Sequence, residues 1–178
     1  MAKRGPLTQL GPIMQLAYLP SDFEAAIRHW TEVVGAGPFF LLEHIQLGEM
    51  TYLGQPSDAV FSVAIGYWGD LQIELIRPDN DSPSIYTGDY AVKDRLHHVC
   101  IMVDDIASAR AALHDAGATV LIEGKVGDSG AVIYADPAGG PGHIVEYVKP
   151  MDGGIELFAM MRDAARDWDG SDPLRKIG

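Results

Sequence analysis

The sequence predicts an α+β fold in which two tandem β-α-β-β-β modules form a curved mixed sheet around a cleft, with an added C-terminal helix. Three observations predict it. Gln15 and His98 each lie seven residues before an aspartate, in strand-like runs that lead into alanine-rich helical stretches. Each of these helical stretches is followed by a glycine. An apolar-Glu-apolar-apolar-basic-Pro pattern over 73–78 recurs 72 residues later, over 145–150. Such self-similarity indicates two copies of one unit that pack about a pseudo-twofold axis.

The first module is expected to span residues 12–78, after an extended arm over 1–11. A strand over 12–19 ends at a proline, and Asp22 then provides an N-cap for a helix. One face of this helix carries apolar residues at helical spacing: Phe23, Ala26, Ile27, Trp30, Val33 and Val34. Further strands with alternating, β-branched or aromatic residues are predicted over 39–47, 60–67 and 71–77, and 49–53 is expected to be extended as well.

Residues 79–95 have no counterpart in the second copy, so we expect them to link the two modules. The second module, 96–150, repeats the order of elements with shorter parts. Its elements are a strand over 97–103, a helix over 105–116, and strands over 118–123, 130–135 and 143–148. Residues 151–178 contain an amphipathic helix that is expected to close over the core or over a partner subunit. Its apolar stripe consists of Leu157, Phe158, Met161, Ala164, Ala165 and Trp168.

Each module places two polar side chains in otherwise apolar strands, Gln15 and Glu74 in the first and His98 and Glu146 in the second. A single strand histidine is usually an ordinary hydrogen-bonded residue. Here the twofold relation would bring all four side chains toward the centre of the cleft. A buried glutamate is costly unless it is paired, protonated or bound to a metal. We therefore expect these four residues to form a metal site.

The composition excludes several classes of protein. There are 13 basic and 25 acidic residues, and the net charge of −12 makes nucleic acid an improbable partner. The single cysteine, Cys100, lies in an apolar strand and cannot form an internal disulfide, which favours a reducing, cytoplasmic location. No apolar run of about 18 residues is present, so no membrane span is expected. The sequence therefore predicts a cytoplasmic protein.

The duplicated β-α-β-β-β order, with donors on the first and last strand of each module, resembles the vicinal oxygen chelate superfamily over about residues 12–150. This superfamily includes glyoxalase I, methylmalonyl-CoA epimerase, extradiol dioxygenases and bleomycin-resistance proteins. The run 96–105 looks most like the epimerase, whose second histidine is the ligand, here His98. By position Gln15 replaces the epimerase's first histidine, Glu74 replaces its glutamine, and Glu146 matches the glutamate common to the superfamily. The resulting donor set is similar to that of zinc-type glyoxalase I.

Four oxygen and nitrogen donors that include two carboxylates suit a divalent ion such as Zn, Ni, Co, Mn or Fe. The resemblance then implies a lyase or isomerase that polarises the carbonyl or thioester of a small-molecule substrate and moves a proton on the adjacent carbon. Glu146 is the first choice for the base and Glu74 the second. At the position of the epimerase's second catalytic glutamate the chain has Ser62, which weighs against a two-base epimerisation. A homodimer is expected by analogy alone.

Two other functions remain open at this stage. An iron-dependent extradiol dioxygenase would need two histidines and one carboxylate, whereas His97 is expected to alternate away from His98, and His143 to face away from Glu146. Both histidines are therefore expected to contact the metal ligands without binding the metal themselves, or to lie at the surface. A metal-free binding protein of the bleomycin-resistance type would use an aromatic lining in the cleft. Its candidate residues are Tyr18, Phe40, Trp68 and Tyr147.

Overall fold

Eleven strands form one mixed sheet in the computed structural model, which describes residues 5–177. The strands are β1 (Ile13–Tyr18), β2 (Phe39–Gln46), β3 (Gly48–Tyr52), β4 (Gln55–Pro56), β5 (Val60–Trp68), β6 (Leu71–Pro78), β7 (Leu96–Met102), β8 (Thr119–Val126), β9 (Gly130–Asp136), β10 (Ile144–Lys149) and β11 (Leu174–Lys176). The α-helices are α1 (Phe23–Arg28), α2 (Ile106–Asp115) and α3 (Gly154–Arg166). None of the helices among residues 5–177 has the length and hydropathy of a membrane-spanning segment.

The strand order shows the duplication directly. It runs β11-β2-β5-β6-β1-β7-β10-β9-β8-β3-β4. In each repeat the first strand pairs with the last in parallel, β1 with β6 and β7 with β10, and the two repeats join through the antiparallel β1–β7 pair. The predicted fold class is therefore confirmed. This topology places β6, β1, β7 and β10 side by side at the centre of the sheet, and these are the strands that carry the four predicted donors.

The two faces of the sheet have different coverings because strand side chains alternate between them. Helix α1 packs on one half of the first face, against a cluster that includes Ile73 and Leu75, and α2 packs on the other half, against Ile133 and Tyr147. The opposite face holds the largest core cluster, which contains Met161 of α3. The polar residues that concern function lie on this second face, which we call the cleft face.

Helix α1 begins as predicted, with the Asp22 carboxylate accepting a hydrogen bond from the Ala25 N–H at 2.9 Å. Beyond Arg28 the chain continues in π-helical turns from His29 to Val34 and ends at Gly35, whose φ is 79°. A π turn holds more residues than an α turn, so the predicted apolar stripe rotates out of register. The expectation that Val33 faces the core is therefore wrong, since this side chain is 74% exposed.

Three segments depart from the predicted pattern. Residues Pro6–Gln9 form a 3-10 turn instead of an extended arm, and residues 1–4 lie outside the described part of the chain. Strand β3 crosses to the second repeat and pairs with β8, which extends the sheet beyond four strands per repeat. Strand β11, which the sequence pattern did not indicate, pairs in parallel with β2 after the chain leaves α3.

The segment 79–95 connects the repeats without regular secondary structure, but it is more than a surface loop. Ile85 and Tyr86 are buried in the core cluster of the cleft face. The Ser57 hydroxyl, from the loop before β5, donates to the Pro83 carbonyl oxygen at 2.6 Å. The segment therefore lies across the cleft and forms part of its cover.

Candidate metal centre

Three of the four predicted donors meet at the centre of the sheet. Glu74 on β6, His98 on β7 and Glu146 on β10 are all buried, and one donor atom of each lies within 4.8 Å of the others. His98 Nε2 is 3.1 Å from Glu146 Oε2 and 3.5 Å from Glu74 Oε2. The strands β6, β7 and β10 lie close together in the sheet. Because side chains alternate between the two faces of a strand, all three residues point to the cleft face.

Gln15, the fourth predicted donor, is buried on β1, between β6 and β7. Its Nε2 donates to Gln72 Oε1 at 2.5 Å, and Gln72 Nε2 donates in turn to the Tyr67 hydroxyl at 2.8 Å. Among residues 5–177, no partner is present for the buried Gln15 Oε1. An unsatisfied buried acceptor costs about 1–3 kcal/mol, and a cation beside it would remove that cost. The amide oxygen, the imidazole nitrogen and the two carboxylates therefore fit a divalent ion chemically.

The charges at this centre depend on one another. Burial raises the pKa of Glu74, whereas hydrogen bonds from His98 and Gln15 act to lower it. For His98, burial lowers the pKa, but hydrogen bonds to Glu146 and Glu74 outweigh it and raise the pKa to about 9. At neutral pH a proton thus holds the imidazole between two carboxylates. A divalent ion bound by a neutral imidazole would balance the charge of both carboxylates.

His97 does not alternate away from the centre, contrary to our prediction. Ala17 is aligned with His98 but Tyr18 with Leu96, so His97 is an extra residue in a β-bulge of β7. The bulge places His97 Nδ1 2.9 Å from His98 Nδ1, and His97 is fully buried. Burial and the charge of His98 lower the pKa of His97 to about 3. The expectation that His97 contacts a metal ligand fits this geometry, because His97 touches His98. The alternative, a position at the surface, is wrong.

Two tyrosines cover the centre and were missed by sequence reasoning. The Tyr86 hydroxyl donates to the Tyr134 hydroxyl at 3.3 Å, and the Tyr134 ring lies edge-on to His98 with 5.2 Å between centroids. Burial and the charges of Glu74 and Glu146 raise the pKa of both tyrosines well above the ordinary value. Tyr134 is aligned with Glu146 across β9 and β10, so the predicted hairpin register could have revealed it.

The predicted aromatic lining is wrong for three of its four residues. Trp68 is 59% exposed, Tyr18 packs with the α1 cluster, and Tyr147 packs with the α2 cluster. Phe40 alone belongs to the core cluster of the cleft face. Tyr147 was misassigned because neighbouring residues of β10 alternate between the faces and Glu146 occupies the cleft face.

Ser62 lies on the α1 side of β5, not on the cleft face. Its hydroxyl donates to Asp79 Oδ2 at 2.6 Å and accepts from the His44 N–H at 3.1 Å. Glu43, on the neighbouring strand β2, is at the surface and pairs with Lys176. The side chains that β5 gives to the core cluster of the cleft face are Phe61, Val63, Ile65 and Tyr67. No carboxylate is among them.

A family model described as "Glyoxalase/Bleomycin resistance protein/Dioxygenase superfamily" matches residues 14–134. Mitochondrial methylmalonyl-CoA epimerase of Bos taurus is 30% identical over 148 residues, which cover 80% of this chain and 76% of the bovine protein.

Solved structures show the same fold at low sequence identity. Methylmalonyl-CoA epimerase from Mycobacterium tuberculosis is 14% identical, with a TM-score of 0.55 and coverage of 85% of this chain and 93% of that one. A hypothetical protein, BH1468 from Bacillus halodurans C-125, is also 14% identical, with a TM-score of 0.56 and coverage of 79% and 94%.

Proposed function

The chain belongs to the glyoxalase/bleomycin resistance protein/dioxygenase superfamily, and we propose that it is an enzyme that moves a proton on the carbon next to a carbonyl or thioester. Similarity to the bovine epimerase supports the isomerase class. The observation that carries the proposal is the buried group of Glu74, His98 and Glu146, whose donor atoms lie within 4.8 Å of one another. Two carboxylates with one imidazole at this depth suit a cation and a proton acceptor better than a packed core.

The proposed metal ligands are Gln15 Oε1, His98 Nε2 and one carboxylate oxygen each from Glu74 and Glu146. A mixed oxygen and nitrogen set of this kind suits Zn, Ni, Co, Mn or Fe. When bound, such an ion polarises the substrate carbonyl and stabilises the negative charge on its oxygen while the adjacent C–H loses a proton. Among the described residues at the cleft centre, His98 is the histidine donor, because His97 Nε2 contacts the Ile85 carbonyl oxygen instead. The centre therefore does not favour the two-histidine set of extradiol dioxygenases.

A side chain of the protein must take up the proton from the substrate carbon and return it. We assign this role to the carboxylate of Glu146, with Glu74 as the second choice. The surrounding side chains exclude water, which strengthens the electrostatic interactions at the centre. Phe61, Ile85 and Tyr86 are examples, since all three are buried in the core cluster of the cleft face.

We propose that one carboxylate serves the reaction. An epimerisation with two bases needs a second acid-base group on the opposite side of the reacting carbon. Ser62 lies on the α1 side of β5, and β5 supplies Phe61, Val63 and Ile65 to the cleft. A single base can return the proton to the face from which it came or to a neighbouring atom, as in a glyoxalase-type reaction.

The proposed substrate class is a CoA thioester, by analogy with the bovine epimerase. The test is to incubate methylmalonyl-CoA in D2O with protein loaded separately with each candidate metal. Deuterium at the carbon next to the thioester and the ratio of epimers are measured against a sample without enzyme. Exchange without inversion is expected from a single base. Inversion at the rate of exchange would contradict the one-base mechanism, and absence of exchange with every metal would exclude this thioester reaction.

The hemithioacetal of methylglyoxal and glutathione provides the second substrate for the same experiment. Turnover of this compound, without exchange on the thioester, would assign the protein to the lyase branch instead of the isomerase branch. The homodimer, the cytoplasmic location and the boundaries 12–78, 79–95, 96–150 and 151–178 remain predictions.

A further inference from the structure

The state of the His98 ring is determined by contacts of the neighbouring histidine. His97 Nε2 lies 3.1 Å from the Ile85 carbonyl oxygen, and His97 Nδ1 lies 2.9 Å from His98 Nδ1. A carbonyl oxygen accepts hydrogen bonds and cannot donate them, so the hydrogen in the first contact belongs to His97 Nε2. A neutral imidazole carries one N–H, which leaves His97 Nδ1 as an acceptor.

The hydrogen between the two rings consequently belongs to His98. Its Nδ1 donates to His97, and its Nε2 faces Glu146 Oε2 at 3.1 Å and Glu74 Oε2 at 3.5 Å. In the opposite tautomer of His98, two nitrogen lone pairs would face each other at 2.9 Å, and the contact would be repulsive. In a neutral His98 ring, the contact with His97 thus selects Nδ1 as the nitrogen that carries the hydrogen.

We propose that His97 is a positioning residue that holds His98 in the tautomer with hydrogen on Nδ1 and so directs the Nε2 lone pair to the metal ion. This inference rests on the proposed metal centre. Metal-binding histidines usually donate their other ring N–H to a carboxylate, a carbonyl or a water. Here the acceptor is a second imidazole, which a main-chain carbonyl holds in its own tautomer.

Two features make this arrangement rigid. His97 and Ile85 are both fully buried, so bulk water does not compete for either hydrogen bond. The Tyr86 ring also packs against the His97 ring, with 5.6 Å between centroids. Because Ile85 and Tyr86 belong to the segment 79–95, this segment becomes part of the metal centre through the pair of histidines.

The first experiment needs no metal and no variant. In protein labelled with ¹⁵N-histidine, we expect a coupling across the hydrogen bond between the two Nδ1 atoms, with the hydrogen bonded to His98. A hydrogen located on His97 Nδ1, or absence of the coupling, would overturn the role of His97 without affecting the four proposed donors. Zinc-loaded protein should keep the hydrogen on His98 Nδ1, and zinc bound through that atom would also overturn the proposal.

The second experiment measures zinc affinity by competition with a chelator. His97→Phe keeps a ring but removes the acceptor, and it should weaken zinc binding roughly 10- to 100-fold. His97→Asn places an amide oxygen near the position of Nδ1 and should restore most of the affinity. The matched control is His143→Phe, which alters an exposed imidazole three residues before Glu146 in the sequence and should bind zinc like the wild type.

Each outcome of the affinity measurement has one meaning. Zinc affinity of His97→Phe equal to that of the wild type, in protein whose circular dichroism shows the native fold, would overturn the role of His97. If His97→Phe does not fold, the comparison of His97→Asn with the wild type and the ¹⁵N coupling decide the question. Failure of the wild type itself to bind zinc or any other candidate ion would overturn the metal centre and, with it, the proposed function.

Discussion

Gln15 and Gln72 are aligned on the parallel strands β1 and β6, and the Gln15 amide donates to the Gln72 carbonyl oxygen at 2.5 Å. This bond uses the nitrogen of Gln15 and leaves its oxygen without a partner among the described residues. The Gln72 amide in turn donates to the Tyr67 hydroxyl. These two hydrogen bonds fix the orientation of both amide groups. The pairing therefore engages the amide nitrogen of Gln15 and keeps its buried oxygen available as a donor.

Gln15→Leu should lower zinc affinity at least tenfold, because leucine keeps the volume of the side chain but removes the donor oxygen. Chelator competition measures the loss. Gln72→Leu is the matched control, since it removes the orienting partner and keeps the donor, and it should cause a smaller loss. Full zinc affinity in Gln15→Leu would remove Gln15 from the proposed set of ligands.

Glu146→Gln should leave the fold and zinc binding largely intact, because glutamine retains one donor oxygen but has no basic carboxylate. Deuterium exchange next to the thioester should fall by at least about two orders of magnitude, the usual scale for loss of a general base. His98→Ala serves for comparison, since its activity should fall together with its zinc content. Wild-type exchange by zinc-loaded Glu146→Gln would move the role of base to Glu74.

Zinc affinity should rise with pH up to about 9. The raised pKa of His98 means that, below about 9, the metal-free protein holds a proton that zinc must displace. Each pH unit below that value should weaken binding about tenfold, whereas a histidine with an ordinary pKa would give a plateau above about 6.5. Titrations with competing chelators from pH 6 to 9 distinguish the two cases, and the raised pKa of Glu74 acts in the same direction.

Chelation should lower the melting temperature, since a ligand that binds only the folded state stabilises it. At a free-metal concentration of about 100 times Kd, the stabilisation is about 2.7 kcal/mol. For a chain of this size that corresponds to a shift of roughly 5–10 °C. Calorimetry with and without chelator, alongside measured metal content, gives the shift. The His98→Ala variant should show none, and an equal shift in that variant would mean that the metal binds elsewhere.

Much of the central sheet could be predicted from the sequence, because its strands have regular patterns of apolar residues and turns. The repeat located Glu74 and Glu146 on equivalent strands before any contact was known. The facing of His97 could not be predicted in this way, since alternation assumes a regular strand and β7 has a bulge at that residue. The orientation of a residue next to a bulge depends on the pairing of two strands, which one strand's sequence does not reveal.

Two further features are not visible in the sequence pattern. Helix α1 changes to π-helical turns after Arg28, and apolar spacing alone does not distinguish an α turn from a π turn. The segment 79–95 contains many polar residues and was expected to act as a linker, yet Ser84, Ile85 and Tyr86 are buried. Its burial depends on filling a cleft formed by the two repeats, and that is a property of the folded chain.

Helix α3 is secured differently at its two ends. On one side the chain runs directly from β10 into the helix through Gly153, whose φ is 79°. Beyond the other end of α3, the indole N–H of Trp168 donates to the Ser171 carbonyl oxygen. The three residues of β11 then pair with β2 at the edge of the sheet. This strand pairing is short, and its main-chain hydrogen bonds include one from the Ile177 N–H to the Leu41 carbonyl oxygen at 3.0 Å.

The short pairing of β11 makes the tail after α3 easier to release than the strands at the centre of the sheet. Few main-chain bonds must break to release β11, and the rest of the sheet keeps its pairing when they do. Helix α3 itself would stay in place, because Met161 is fully buried in the core cluster of the cleft face. Amide hydrogen exchange should therefore be faster in β11 than in β5, and equally slow exchange in both strands would show that the tail is held as firmly as the centre of the sheet.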